Sequence, residues 1–183
     1  MIFMNEKKCT KDSIILTGIK LFARNNYNEV SVDSIVEKAG ISKGAFYYYF
    51  KSKDDFYNEI LKTAYKNFTD TYLMESKNTK TEKDRLHAFV RAIFYTFEKD
   101  KDLFLVIQKE IVKIVTGENS PFLDYQKKIF ELLKDILKDR EDILCFFIMG
   151  ILRSAIIYHL KTNEPLTKII EDSWFYISKI VFS

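Results

Sequence analysis

The chain has 183 residues and a formal net charge of +3, with 47% hydrophobic and 30% charged residues. This composition is typical of a soluble globular protein with ample core material. Its five glycines and two prolines fall far below the usual combined share of about 12%. Such a chain lacks the turn-forming residues that a sheet-rich or loop-rich fold needs, so an all-α protein is the first expectation.

Charge is concentrated at the N-terminal end. Residues 1–53 carry nine Lys or Arg and five Asp or Glu, a net charge of +4, which leaves −1 for the other 130 residues. A basic segment on a nearly neutral body predicts an anionic partner for that segment. Cys9 and Cys145 are far apart and form no CxxC pattern, so we expect no disulfide framework, no zinc site and no cofactor. A reducing compartment, the cytoplasm, is the expected location.

Capping residues and hydrophobic periodicity predict about nine helices and no strand. Thr10 and Ser31 are predicted N-caps, and Gly40 is predicted to end the second helix. Ser120 followed by Pro121 predicts the start of the seventh helix. The predicted helices span approximately 10–25, 31–40, 42–50, 52–76, 81–99, 100–115, 120–138, 141–160 and 165–182.

The segment Ser31–Lys53, SVDSIVEKAGISKGAFYYYFKSK, is the most informative part of the sequence. Two short helices meet at Gly40, a residue that accepts the positive φ of a tight turn. In the second helix Phe46 and Phe50 are four residues apart and share a buried face, which leaves three consecutive tyrosines on the other side. Phenolic hydroxyls, lysine ammonium groups and free N–H groups at a helix start all suit phosphate oxygens. The pattern therefore predicts a helix-turn-helix whose second helix enters the DNA major groove.

These first ~55 residues resemble the DNA-binding domain of the TetR family of bacterial transcriptional regulators. The residues that carry the resemblance are Ile14, Leu21, Phe22, Tyr27, Ser31, Ile35, Ala39, Gly40, Ile41, Ser42, Gly44, Phe46, Tyr47, Phe50 and Lys53. One departure is Gly18, which stands where the family prefers alanine and is expected to weaken the first helix by about 1 kcal/mol.

The resemblance implies which residues contact DNA. Ser31 would bind phosphate, and the start of the second motif helix would read bases. The tyrosines would contact backbone and base edges, and Lys53 matches the DNA-binding lysine that opens the family's fourth helix. The predicted DNA-binding residues are Ser31, Ser42, Lys43, Gly44, Ala45, Tyr47, Tyr48, Tyr49 and Lys53. The predicted domains are 1–53, with the helix-turn-helix at about 32–51, and a helical ligand-binding and dimerisation domain at 54–183.

The stretch 143–160 is apolar almost throughout. A membrane span is one interpretation of it, because 18 residues nearly reach the usual length of about 20. Arg153 near its middle and Glu141-Asp142 before it favour a buried helix instead. Together with the apolar last helix it predicts a homodimer across a twofold axis, which a helix-turn-helix protein needs for two half-sites. The predicted interface residues are Phe147, Ile151, Ile157, Trp174 and Ile177.

The resemblance also implies a small-molecule effector, because family members use the helical body as a pocket for small, often apolar ligands. Such a pocket is mainly apolar, with a few polar groups that fix the ligand's orientation. The predicted pocket residues are Tyr72, His87, Arg91, Phe94, Phe104, Gln108, Tyr125 and Arg153. The expected function is a non-enzymatic repressor that a ligand releases from double-stranded operator DNA, although activation remains open.

Two other classes of protein remain possible. An all-helical metal-dependent enzyme could use Asp84 and His87, which lie at i and i+3, but a di-metal bundle needs several more acidic ligands in register. No HExxH, nucleophile elbow or phosphate loop occurs in the sequence. A DNA-binding protein without a ligand is the other alternative.

Overall fold

The computed structural model describes the backbone of residues 2–138 and 140–183 and the side chains of residues 11–138 and 140–183. Over this part of the chain the protein is 83% helical, with nine α-helices and no strand, which confirms the predicted all-α class. The helices are α1 (Ile2–Arg24), α2 (Val32–Ala39), α3 (Lys43–Tyr49), α4 (Lys53–Ser76), α5 (Glu82–Lys99), α6 (Lys101–Val115), α7 (Leu123–Leu137), α8 (Asp142–Thr162) and α9 (Leu166–Phe182). A short 3₁₀ turn, Tyr27–Glu29, follows α1. Cys9 and the Thr10 side chain lie outside the described side chains.

Most helix boundaries follow from local capping. The Ser31 hydroxyl accepts a hydrogen bond from Ser34 N, and Gly40 ends α2 with φ 66°. Asp100 caps α6 by accepting from Leu103 N at 2.9 Å. Each of these contacts satisfies a backbone group that a helix end would otherwise leave without a partner.

Two predicted helix starts are wrong. The first helix begins at Ile2 rather than at Thr10, because residues 2–9 contain no Gly or Pro to interrupt it. The seventh begins at Leu123 rather than at Pro121. Residues 121 and 122 form a turn, in which the Ser120 hydroxyl accepts from Phe122 N at 3.1 Å and donates to Glu110 at 2.7 Å.

The chain folds as two compact units. Unit 1 contains the chain up to Tyr65 together with Asp100–Leu123, and therefore α1, α2, α3, the first half of α4, and α6. In its core α1 packs against both α2 and α6. Phe46, Phe50 and Phe56 form a ring cluster with centroids 4.7–5.4 Å apart.

Gly18 lies against this cluster. A Cβ at Gly18 would be 2.3 Å from Phe56 Cζ and 2.9 Å from Ile60 Cδ1, far inside van der Waals contact. Glycine at this position allows α1 to approach α4 closely. The close packing therefore explains why glycine stands here despite its low helix propensity.

Unit 2 contains Lys66–Lys99 and Asp124–Ser183, and therefore the second half of α4, α5, α7, α8 and α9. In this unit α9 packs against α5 and α8. Rings of α4 and α5 form its aromatic core, with Phe68 5.4 Å from Phe89 between centroids. The predicted boundary between residues 53 and 54 separates a DNA-binding part from a ligand-binding part, whereas the two compact units are defined by contacts. The functional boundary therefore stays a prediction.

Candidate nucleic-acid interface

Serine hydroxyls cap the starts of both α2 and α3, and the hydrogen bonds at the start of α2 are reciprocal. Ser31 Oγ accepts from Ser34 N at 3.0 Å, and Ser34 Oγ accepts from Ser31 N at 3.1 Å. Ser42 Oγ accepts from Ala45 N at 3.1 Å. A capping serine hydroxyl that accepts a hydrogen bond still has its own O–H to donate. Ser31 and Ser42 are exposed, so each hydroxyl can donate to a phosphate oxygen.

Helix α3 has one buried and one exposed face. Phe46 is 0% exposed and Phe50, directly after the helix, is 2% exposed, whereas Tyr47 and Tyr48 are 53% and 65% exposed. Tyr49 is half-buried, with its ring edge-on to Tyr48 at 4.9 Å. The predicted division holds for Phe46, Phe50, Tyr47 and Tyr48, whereas Tyr49 is less exposed than predicted. Large exposed aromatic groups side by side are typical of a binding surface.

Lys43, the first residue of α3, is paired within the protein. Its Nζ lies 2.6 Å from Asp33 Oδ1, and both side chains are largely exposed. The hydrogen bond to Asp33 raises the pKa of Lys43 above its ordinary value. A phosphate would therefore compete with the Asp33 carboxylate for this ammonium group.

Lys53, the first residue of α4, is held by the 3₁₀ turn. Its Nζ donates to Tyr27 O at 3.1 Å and lies 4.1 Å from the centroid of the Tyr27 ring. The Tyr27 hydroxyl donates to Asp54. Burial, together with this carboxylate, raises the pKa of Tyr27, so the phenol stays protonated at neutral pH. All nine predicted DNA-binding residues lie in unit 1, at the starts of α2 and α4 and along α3.

Sequence reasoning missed a polar network on α6. The Glu110 side chain is fully buried, and its carboxylate accepts from Tyr57 OH at 2.8 Å, Ser120 Oγ at 2.7 Å and Lys113 Nζ at 2.6 Å. A buried carboxylate needs several such partners to compensate for lost hydration. This network joins α4, α6 and the segment before α7 within unit 1.

Lys109 ties α6 to the end of α1. Its Nζ donates to the main-chain oxygens of Phe22, Ala23 and Asn25 at 2.8, 3.0 and 2.9 Å. These carbonyls belong to the end of a helix, where positive charge is favourable. The adjacent charges Lys109-Glu110, which follow the apolar run 103–107 of α6, are the sequence feature that could have indicated both contacts.

A cavity of about 470 Å³ lies in unit 1 beside these polar contacts. Its lining residues are Phe22, Asn25, Asn26, Tyr27, Asn28, Tyr57, Lys109, Glu110, Lys113, Glu118 and Asn119. None of the eight predicted ligand-pocket residues lines it. Its wall is polar and charged, unlike the apolar pocket that the sequence predicts.

The predicted pocket residues are divided between the two units. Phe104 and Gln108 belong to unit 1, whereas the remaining six belong to unit 2: Tyr72, His87, Arg91, Phe94, Tyr125 and Arg153. Arg91 Nε pairs with Glu75 at 2.6 Å. Gln108 Oε1 is buried without a hydrogen-bond partner.

His87 and Trp174, predicted for different sites, contact each other. Their rings are stacked with centroids 4.4 Å apart and planes 12° apart. Burial, then the nearby charge of Arg91, lowers the pKa of His87 below its ordinary 6.5. In the described part of the chain, no three His, Cys, Asp or Glu side chains cluster in a way that could hold a metal ion.

The predicted dimer residues differ in exposure. Phe147 and Ile157 are 58% and 40% exposed, whereas Ile177 is 0% exposed; Ile151 and Trp174 are half-buried. Ile177 therefore packs inside its own unit. By length and composition alone α8 could cross a membrane, and it is the one described helix for which this holds.

Residues 14–60 match the family model described as "Bacterial regulatory proteins, tetR family". The chain is 28% identical over 141 residues to the fatty acid metabolism regulator protein of Bacillus subtilis, an alignment covering 77% of this chain and 69% of that protein. It is 31% identical over 132 residues to the uncharacterized HTH-type transcriptional regulator YerO of Bacillus subtilis, covering 69% of this chain but only 42% of that protein.

A crystal structure of the transcriptional regulator FadR from Bacillus subtilis in complex with stearoyl-CoA shares the fold. It matches with a TM-score of 0.75 and 20% identity, over 90% of this chain and 96% of that chain. The geometry of α2 and α3 is that of a helix-turn-helix, and the related proteins are transcriptional regulators. The N-terminal domain of the chain, which contains the matched residues 14–60, is that of the TetR family of bacterial transcriptional regulators.

Proposed function

We propose that the protein is a homodimeric repressor that binds double-stranded operator DNA through α3 and is released by a small, largely apolar ligand. The observation that carries the DNA-binding part is the two-faced α3, with Phe46 in the core and Tyr47 and Tyr48 exposed. In this proposal residues 1–53 bind DNA, whereas residues 54–183 bind the ligand and dimerise. In this proposal the protein acts in the cytoplasm and needs no cofactor.

The nine predicted residues have different roles in DNA recognition. Ser31 and Lys53 bind phosphates, the first turn of α3 from Ser42 to Ala45 approaches base edges, and the three tyrosines contact backbone and bases. Phosphate contacts fix the position of a protein on the duplex, and contacts to base edges give specificity. The Lys43–Asp33 pair would open on binding, so that Lys43 exchanges a carboxylate for a phosphate or a base.

The apolar surface of α8 and α9 supports the dimer. Phe146 and Phe147 on α8 and Phe175 and Tyr176 on α9 are each more than half exposed. A single protomer leaves these rings in water, and a second copy across a twofold axis would cover them. Ile151, Ile157 and Trp174 would join this interface, and the buried Ile177 would support it from beneath.

We infer that the ligand carries a long acyl chain. The support comes from two related proteins, one named a fatty acid metabolism regulator and one crystallised with stearoyl-CoA. Two buried polar atoms without partners in unit 2, Thr96 Oγ1 and Gln126 Oε1, supply a second argument. Such groups are costly unless a donor or acceptor reaches them, and a ligand's polar groups could do so.

The test begins with DNA that the protein itself selects from a random pool of 30-base-pair duplexes. Binding of the selected duplex is then titrated with stearoyl-CoA, with coenzyme A and octanoyl-CoA as controls. The proposal predicts sequence enrichment and release by stearoyl-CoA at concentrations where coenzyme A has no effect. Absence of enrichment would contradict DNA recognition, whereas enrichment without release by any acyl-CoA would contradict the ligand class only.

Oligomeric state is measured by light scattering. Phe147→Glu places a charge in the proposed interface and is expected to give monomers at micromolar concentration. Leu73→Glu, at an equally exposed apolar position on α4, is the matched control and should leave the dimer intact. A monomeric wild-type protein would contradict the proposed dimer.

A further inference from the structure

Tyr27 holds the Lys53 ammonium group in place through two different contacts. The main-chain oxygen of Tyr27 accepts from Lys53 Nζ at 3.1 Å, and the same Nζ lies 4.1 Å from the centre of the Tyr27 ring. A cation over the face of an aromatic ring is attracted by its quadrupole. The carbonyl occupies one of the three N–H donors of the ammonium group, so two remain for another partner.

The Tyr27 ring is itself fixed from three sides. Its hydroxyl donates to Asp54. Its ring stacks on Phe22 at 5.8 Å, with planes 13° apart, and meets Tyr57 edge-on at 4.9 Å. Phe22 is 2% and Tyr57 4% exposed, so the ring rests on the rigid core of unit 1.

A lysine that is already ordered binds a phosphate at lower entropic cost than a mobile one. Lysine is among the side chains that lose the most conformational freedom when immobilised. Preorganisation raises affinity by removing part of this cost from the binding step. The contacts with Tyr27 order Lys53 before DNA arrives.

We propose that Tyr27 is a positioning residue for DNA binding: it orients Lys53 toward a phosphate of the operator backbone. This inference rests on the proposed function, in which Lys53 contacts a phosphate. Tyr27 itself need not touch DNA, and its effect on affinity acts through Lys53 alone.

The experiment is a double-mutant cycle in DNA binding. Tyr27→Leu, Tyr27→Phe and Tyr27→3,4,5-trifluorophenylalanine are each made with Lys53 present and with Lys53→Ala. Fluorination withdraws charge from the ring face with little change of shape, and the phenylalanine variant, which also lacks the hydroxyl that donates to Asp54, is its reference. The comparison of these two variants reports the cation–π contact even if the leucine variant folds poorly. Affinity for the selected duplex is measured between 50 and 200 mM salt.

With Lys53 present, loss of the ring face is expected to weaken binding about three- to tenfold, in both the leucine and the fluorinated variants. Phenylalanine should stay close to wild type. In the Lys53→Ala background all three changes should have no effect. Lys53→Ala should also lower the slope of log affinity against log salt by about one, whereas changes at Tyr27 should leave the slope unchanged.

Equal losses with and without Lys53 would overturn the inference, because Tyr27 would then act independently of the lysine. A wild-type affinity for the fluorinated variant would overturn it as well. If the protein selects no duplex, the proposed function fails. If it selects one and the cycle is additive, only the role of Tyr27 fails.

Discussion

Tyr57 donates a 2.8 Å hydrogen bond to Glu110, and the Glu110 side chain is completely excluded from solvent. Burial and the Glu110 carboxylate raise the pKa of Tyr57, so Tyr57 remains a donor throughout the range in which the protein functions. Lys113 and Ser120 complete the set of partners. Removing a partner of a buried charge costs stability, and the cost is largest for a partner of opposite charge.

Glu110→Gln is therefore expected to destabilise the fold by about 3 kcal/mol, because the new amide group turns a donor toward donors and leaves Lys113 without its counter-charge. Tyr57→Phe removes one hydrogen bond and should cost about 1–2 kcal/mol. Urea denaturation measures both. Glu118→Gln, on the exposed segment after α6, is the control and should stay within about 0.5 kcal/mol of wild type. Equal stability of all three variants would contradict the role of the network.

Gly18→Ala tests the close approach of α1 to α4. Alanine favours a helix by about 1 kcal/mol over glycine, but its Cβ would lie 2.3 Å from the ring of Phe56. Overpacking of this kind costs about 1–3 kcal/mol, so we expect a net loss of stability in thermal melts. Gly44→Ala is the control, because there the nearest atom is 3.7 Å away. A more stable Gly18→Ala variant would show that Phe56 moves aside readily.

The exposed tyrosines of α3 are expected to affect DNA binding without affecting stability. Tyr47→Ala and Tyr48→Ala should each weaken binding of the selected duplex about tenfold, corresponding to about 1.4 kcal/mol. Melting temperatures should change little, because both rings are more than half exposed. Tyr95→Ala, at an exposed tyrosine on α5, should bind like wild type. Unchanged affinity in both α3 variants would place the DNA contact elsewhere.

Protonation of His87, which stacks on Trp174, is expected to make the stability of the protein depend on pH. Because burial lowers the pKa of His87, the unfolded state, with a pKa near 6.5, takes up the proton first as pH falls. Stability contributed by neutral His87 is therefore fully present above about pH 6.5 and is lost as pH falls below it.

Fluorescence reports this titration directly, because the chain contains one tryptophan. Protonated imidazole quenches indole fluorescence, so emission should fall with a midpoint below pH 6.5. His87→Gln should remove the transition and reduce the loss of stability in acid. A midpoint above 6.5 would contradict the burial of the imidazole.

Features that depend on a few neighbouring residues could be predicted from the sequence. Ser31, Gly40 and Asp100 lie where the predicted helix boundaries require them, because each forms its hydrogen bonds within three or four residues. The buried pair Phe46 and Phe50 follows from helical periodicity in the same way. The all-α class follows from the scarcity of glycine and proline.

Features that join distant parts of the chain could not be predicted. Glu110 meets Tyr57 across 53 positions, and Lys109 reaches the Phe22 carbonyl across 87. The cost and benefit of Gly18 depend on where α4 places Phe56. Local rules describe such residues as surface charges or caps, because the partner that decides their role is far away in sequence.

Hydroxyl-radical footprinting of the wild-type protein on its selected duplex is the most direct test of the central claim, that α3 of each protomer reads a half-site of operator DNA. Two protected patches about one helical turn apart, related by twofold symmetry, are expected, and they should disappear when stearoyl-CoA is added. A single protected patch, or uniform protection without sequence preference, would contradict it.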